Sequence, residues 1–235
     1  MLLSLSNVSF SYQDKTILNN TSLSLDAGEV IAILGSNGAG KSTLLKLILG
    51  QVPLSNKSGE ILLNGKTLSQ SSIEDRNAVA YLPEQAAVYE HLTGFENVAY
   101  FLGLSLGKPA SKEHIESALN KAGLQTSAWH QKCKHYSKGM SQKVMLALAI
   151  AKNSKLLLLD EPNSGLDPQA TEELNNLLLS CKRWQMGVLV VTHDVLSALK
   201  FADRLYMLKQ CQLNLLKINA NNASLNDLQQ LYLSE

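Results

Sequence analysis

Val30-Ile31-Ala32-Ile33-Leu34-Gly35-Ser36-Asn37-Gly38-Ala39-Gly40-Lys41-Ser42-Thr43 decides how the rest of the chain is read. Val30 to Leu34 is apolar without a break, the pattern of a strand buried on both faces. A glycine-rich loop follows, and then Ser42 to Leu49 carries a helical pattern stopped by Gly50 and Pro53. The loop fits G-x-x-x-x-G-K-[ST] in full, with the strand before and the helix after that this motif requires. Gly35, Gly38 and Gly40, with Ser36, Asn37 and Ala39 between them, let backbone N–H groups curl round a phosphate. The helix amino terminus adds a favourable dipole. Lys41 is then placed to reach β- and γ-phosphates, and the hydroxyl of Ser42, followed by Thr43, to ligate Mg²⁺.

The same grammar recurs on both sides of this stretch. Leu3, Leu5, Val8 and Phe10 alternate with Ser4, Ser6 and Ser9, slipping once near Asn7, which predicts a half-buried strand. Leu23-Ser24-Leu25 alternates again and stops at the turn Asp26-Ala27-Gly28. Ile61 to Leu63 ends in Asn64-Gly65, a strand with a tight turn. Leu156 to Leu159 and Val188 to Val191 are short aliphatic runs of buried-strand type, each followed by polar residues and a helical pattern. Alternation of this kind predicts an α/β fold with a parallel sheet and helices on both faces.

From about Glu90 to Lys152 the character changes to helix, with patterns over Ser111 to Ala122 and Ser137 to Ala151. The expected organisation is one domain over 1–235. Residues 1–89 and 153–235 form the core with an antiparallel β part, and 90–152 an inserted helical subdomain. Asp203 to Leu208 reads as the last core strand, and Ser224 as the cap of a short helix reaching Leu233. No further dimerisation or regulatory domain is expected beyond it.

Two carboxylates, Asp160 and Glu161, close the run Leu156–Leu159, at the strand end where doubly wound sheets place ligands. Asp160 is suited to hold Mg²⁺, and Glu161 to polarise an attacking water as general base. His193 stands at the end of the next aliphatic run, where it can contact a γ-phosphate or serve only the local structure.

Lys and Arg total 21 against 20 Asp and Glu, so no global field favours nucleic acid, and phosphate binding must come from local geometry. Cys133, Cys181 and Cys211 are far apart and fit no zinc spacing, so they read as reduced thiols. Cys133-Lys134-His135 offers two soft or borderline ligands, too few for a metal site. No apolar run approaches the ~20 residues of a membrane-spanning helix, and Met1 to Phe10 lacks a basic leader.

With these motifs in place, the chain resembles the ATP-binding-cassette (ABC) family over nearly its whole length. Tyr136-Ser137-Lys138-Gly139-Met140-Ser141-Gln142 is similar to the family signature L-S-G-G-Q, and Ser164-Gly165-Leu166-Asp167 to its D-loop. The resemblance implies a P-loop NTPase (RecA-like) core with an N-terminal antiparallel β subdomain and an inserted helical signature subdomain. It implies ATP hydrolysis with ATP and Mg²⁺, Tyr12 stacking on adenine, and His193 as the switch histidine. Ser137 and Gly139 would close on ATP bound by a second copy of the chain, in an ATP-sandwich homodimer. Asp167-Pro168 also makes a good helix cap and first residue, so a structural role stays open there.

Three positions depart from the family pattern. In Tyr81-Leu82-Pro83-Glu84-Gln85, Glu84 takes the place of the Q-loop glutamine and Gln85 comes one later, so either is a candidate for the Mg²⁺ shell. Lys138 and Met140 replace the first glycine and the glutamine of the signature. The stretch Tyr81 to Glu84, with Tyr89 to Gly94 and Tyr136 to Met140, resembles the ABC-2 exporter branch. Lys134 to Met140 and Leu156 to Asp167 resemble the ATPase of the copper-maturation transporter for nitrous oxide reductase. These resemblances imply a motor driving export through a separate polytopic membrane permease, cytoplasmic and peripheral on the inner face of the cell membrane. Ala86 to Leu104 would contact that permease. The alternative, a soluble ABC ATPase acting on ribosomes or DNA, would carry a second cassette, coiled coils or zinc modules, none of which the sequence shows.

Overall fold

The computed structural model describes residues 1–55 and 58–216. Strand β1 (Leu3–Tyr12) and strand β2 (Lys15–Leu25) pair antiparallel, joined by a tight turn. The slip near Asn7 is a register shift between Leu5 and Val8, and Asn7 itself takes a left-handed φ of 53°. One extra residue bends the strand and lets Leu3, Leu5 and Val8 all face the core.

Strand β3 (Val30–Leu34) is buried throughout and delivers the chain to helix α1 (Lys41–Ile48). The expected helix begins one residue earlier and ends one residue earlier than the pattern predicts, with Leu49 as its carboxyl cap. Strand β4 (Glu60–Leu63) turns at Asn64-Gly65, both left-handed, into the two-residue strand β5 (Lys66–Thr67). These strands form a four-stranded sheet in the order β2-β1-β4-β5.

Helix α2 (Ile73–Asn77), with a Ser72/Asp75 capping box, leads to strand β6 (Val79–Leu82). The helical stretch that follows holds α3 (Gly94–Leu106), α4 (Lys112–Lys121) and α5 (Lys138–Ala151). Of these, α3 has no clear apolar period. Its signal is the capping box Thr93-x-x-Glu96, in which the Thr93 hydroxyl accepts from Glu96 N–H and the Glu96 carboxylate accepts from Thr93 N–H.

Strand β7 (Leu156–Asp160), helix α6 (Pro168–Arg183), strand β8 (Gly187–Thr192), helix α7 (Val195–Phe201) and strand β9 (Arg204–Lys209) complete the α/β alternation. β9 is not the last strand: β10 (Gln212–Leu216) turns back through Gln210 and Cys211, both left-handed, and pairs antiparallel at the sheet edge. The second sheet runs β10-β9-β3-β8-β7-β6, parallel except for β10. The expected helix from Ser224 to Leu233 lies outside the described residues.

Side chains alternating along β3, β7 and β8 divide the interior into two cores. Ile31, Ile33, Leu158 and Val191 pack with α1 and the antiparallel sheet. Val30, Ala32, Leu157 and Val190 pack with α6, α7 and the buried faces of α3, α4 and α5. The central sheet is covered on both faces, as parallel sheets are. Three consecutive parallel strands, β3, β8 and β7, end side by side, and that common edge places the candidate site.

Candidate functional site

The loop Gly35 to Gly40 leaves β3 and enters α1 through Gly40, which adopts φ 107°. A Cβ there would lie 2.7 Å from Ile17 Cγ2, so only glycine fits this close approach to β2. No side chain caps α1. The free N–H groups of its first turn face outward, available to an anion. Lys41 is buried and folds back, its ammonium donating to Gly35 O at 2.6 Å and Ser36 O at 3.2 Å.

Lys41 Nζ also lies 3.1 Å from Glu161 Oε1. Glu161 takes a left-handed φ of 46°, with its backbone N–H donating to Val191 O. Such a conformation in a residue other than glycine costs on the order of 1–3 kcal/mol and collects at functional sites. Its effect is to turn the carboxylate from the end of β7 toward the end of β8. There Oε2 accepts from Thr192 Oγ1 at 3.0 Å, His193 N–H at 3.1 Å and His193 Nδ1 at 2.9 Å. Burial pushes the Glu161 carboxyl up, but Lys41 and His193 together outweigh it and hold the group below its ordinary value. His193 is the exposed member of this trio, its side chain 57% accessible.

Asp160, the last residue of β7, is buried. Burial pushes its carboxyl up; hydrogen bonding from Ser42 opposes this, and the negative charges of Glu161 and Glu84 add to it. Tyr81 on the neighbouring strand β6 also hydrogen-bonds Asp160, and its phenol is raised first by burial and then by that carboxylate. A hydroxyl and two carboxylates in mutual electrostatic reach form a hard oxygen donor set, the chemistry that suits Mg²⁺. Of the two Q-loop candidates, Glu84 acts on Asp160 and accepts from Ser164 Oγ at 3.0 Å. Gln85 is exposed and has no hydrogen bond among the described residues.

Tyr12 is 44% exposed at the β1–β2 turn, its ring edge-on to Phe10 at 4.8 Å. It sits on the hairpin whose second strand carries Ile17 against Gly40. Ser137 and Gly139 lie elsewhere, at the start of α5. Ser137 caps that helix, accepting from Met140 N–H at 3.2 Å. A Cβ on Gly139 would meet Ala170 Cβ at 3.2 Å, so glycine lets α5 and α6 approach closely. The cleft of about 240 Å³ beside them is lined by Leu124, Asp167 and Glu173 among others, and by no residue of the phosphate loop. Cys133 is buried and accepts from Asn97 Nδ2 at 3.3 Å, while His135 is exposed; no group of three metal-ligating side chains occurs among the described residues.

Sequence reasoning missed several residues that hold the site in shape. Thr192 donates to Glu161 and accepts from Asp194 N–H. Asn163 Nδ2 donates to Asp194 Oδ2 at 3.5 Å, and Gln142 Nε2 to Pro162 O at 2.6 Å. Their only sequence signal is position in or next to a motif, because each works through a contact 20 to 31 residues away.

A family model described as "ABC transporter" matches residues 18–164. The chain is 34% identical over 205 residues to a lantibiotic transport ATP-binding protein of Streptococcus pyogenes, covering 86% of this chain and 84% of that one. It is 37% identical over 212 residues to a spermidine/putrescine import ATP-binding protein of Haemophilus ducreyi, covering 88% of this chain and 55% of that one. A solved dimeric ATP-binding cassette in a post-hydrolysis state, bound to ADP and Pi, superposes with a TM-score of 0.78 at 26% identity, covering 93% of this chain and all of the other. The phosphate loop, the two carboxylates at the end of β7 and these likenesses agree: the chain belongs to the ABC transporter ATP-binding family and is an ATPase of that family.

Proposed function

We propose that this ATPase is the motor of an exporter of the ABC-2 type, driving a separate polytopic permease from the inner face of the cell membrane. The observation that carries the motor reading is the separation of two half-sites. The phosphate loop, Asp160, Glu161 and His193 share one sheet edge, whereas Ser137 and Gly139 open on a different cleft. One chain covers a nucleotide from one side only, so a second copy closes the other with its Ser137 and Gly139. The dimeric relative bound to ADP and Pi supports this arrangement.

In this reading Gly35 to Thr43 cradle the phosphates, and Tyr12 stacks on the base. Lys41 exchanges Glu161 for the β- and γ-phosphates. Glu161, freed from the ammonium and still oriented by Thr192 and the His193 backbone, accepts a proton from the attacking water. His193 holds that water and the γ-phosphate. Ser42, Asp160 and Glu84 would hold Mg²⁺, which supplies charge neutralisation at the phosphate oxygens.

Residues 90–152 act as the subdomain that carries the signature and meets the permease. Tyr100 is exposed there, Leu104 is 65% accessible, and the exposed Tyr89, just before the subdomain, stacks on its Phe101 at 5.3 Å. Phe95, by contrast, packs into the core. The exporter branch, and within it the likeness to the copper-maturation ATPase, rests on the motifs around Tyr81–Glu84 and Lys134–Met140. No helix among the described residues is long and apolar enough to cross a membrane, so the permease is a separate chain in this reading.

Tagged chain carrying Glu161→Gln, purified from its native cell in mild detergent with ATP and Mg²⁺, tests the proposal. A polytopic membrane protein recovered in about equal amount supports it, and the identity of that protein reports the cargo. Recovery with ribosomes or DNA-bound proteins and no membrane partner refutes it.

A further inference from the structure

The contact between Ser164 and Glu84 joins two loops 80 residues apart, and its two ends are unequal. Ser164 is anchored: its N–H donates to Glu161 O at 3.1 Å, and the next turn is closed by Leu166 N–H on Asn163 O at 3.2 Å. Asn163 is tied in turn to Asp194. Glu84 belongs to the irregular segment between β6 and α3, where its exposed side chain has rotamer freedom and only this one side-chain hydrogen bond among the described residues. A hydroxyl fixed relative to the end of β7 therefore selects the orientation of a carboxylate that is otherwise free. That orientation ties Glu84, through Ser164, to the backbone of Glu161, the residue that follows Asp160 at the end of β7.

We propose that Ser164 is a positioning residue that holds Glu84 beside Asp160, so that divalent metal binds to a two-carboxylate site whose second carboxylate is set by the D-loop. The inference rests on the nucleotide-site reading above and deepens it. A glutamine in place of Glu84 would give a site with one negative charge fewer. Here the second charge is useful only while Ser164 points it inward. Because Ser164 lies on the loop that continues to Asp167 and α6, the metal shell and that loop are mechanically joined within one chain. A hydrogen-bonding partner behind a metal ligand is typically worth ~10-fold or more in metal affinity.

Mn²⁺ titration of the full chain, followed by electron paramagnetic resonance with the β,γ-imido analogue of ATP bound, reads the effect without turnover. Ser164→Ala is expected to weaken Mn²⁺ binding about tenfold, and Ser164→Thr to restore most of it. Analogue affinity in EDTA should be unchanged in both. In a Glu84→Gln background, Ser164→Ala should shift Mn²⁺ affinity by less than about twofold, because the carboxylate it positions is gone. A single Ser164→Ala within about twofold of wild type overturns the inference, as does a full loss that persists in the Glu84→Gln background. Failure of the wild-type chain to bind the analogue at all would instead overturn the nucleotide-site reading, and this inference with it.

Discussion

Glu161→Gln separates two jobs that the wild-type carboxylate performs in different states. Without nucleotide, Glu161 Oε1 faces the Lys41 ammonium at 3.1 Å, a gross attraction of about 5 kcal/mol at an effective dielectric of ~20. Desolvation of two buried groups takes most of that back. A glutamine keeps an oxygen for Thr192 and the His193 N–H but turns an amide toward the ammonium, leaving Lys41 only Gly35 O and Ser36 O. The nucleotide-free protein should therefore lose about 1–3 kcal/mol, or roughly 2–12 °C in Tm for a chain of this size. With ATP, Lys41 no longer has to leave a carboxylate, so affinity should hold or rise, whereas removing the base should lower kcat by about 10²–10⁴.

Three measurements on one variant check this: thermal melting without nucleotide, equilibrium binding of ATP in EDTA, and phosphate release. Hydrolysis above about a tenth of wild type would refute Glu161 as base. A fall in ATP affinity beyond about tenfold would refute the partner exchange at Lys41. The pH dependence carries a sign. The folded Glu161 titrates below its ordinary value of 4.5, so its stability contribution is present above that pH and lost as pH falls through the folded value. The gap in Tm between wild type and Glu161→Gln should close on acidification below about pH 4.5.

Asp160 has the opposite sign: its carboxyl is raised by burial, so the charged form strains the metal-free fold, and Asp160→Asn should raise Tm at neutral pH while abolishing metal-dependent hydrolysis. Tyr12→Ala should raise KM for ATP about 5- to 50-fold with kcat nearly unchanged, the loss of one aromatic–base stack; Tyr12→Phe should restore it. Gly40→Ala should destabilise by ~1–3 kcal/mol in thermal melts and abolish nucleotide binding, since its Cβ meets Ile17 at 2.7 Å and φ is 107°. Ser137→Ala should cost ~1 kcal/mol as a lost helix cap and suppress ATP-dependent dimerisation on sizing columns, leaving ATP binding to the monomer intact.

The buried strands, the phosphate loop and the order of the motifs were legible in the sequence because each is a local pattern. Five apolar residues, a run of glycines or an Asp-Glu pair closing a strand needs no partner to be recognised. Helix α3 and strand β10 were missed for the converse reason. The first is marked by its cap rather than a period, and the second earns its place by pairing with β9.

Chemistry was legible in kind but not in arrangement. The sequence by itself determined that Lys41 follows a glycine-rich loop and that Asp160, Glu161 and His193 stand at strand ends, and the family resemblance that Glu84 stands where a glutamine is usual. Only the tertiary structure decided that Lys41 rests on Glu161, that a left-handed φ aims that carboxylate at His193, and that Ser164 rather than any neighbour holds Glu84. The physical reason is range. Strand and loop patterns follow from the nearest few residues, whereas a hydrogen bond across 80 positions depends on how sheets and helices from distant parts of the chain close around one edge.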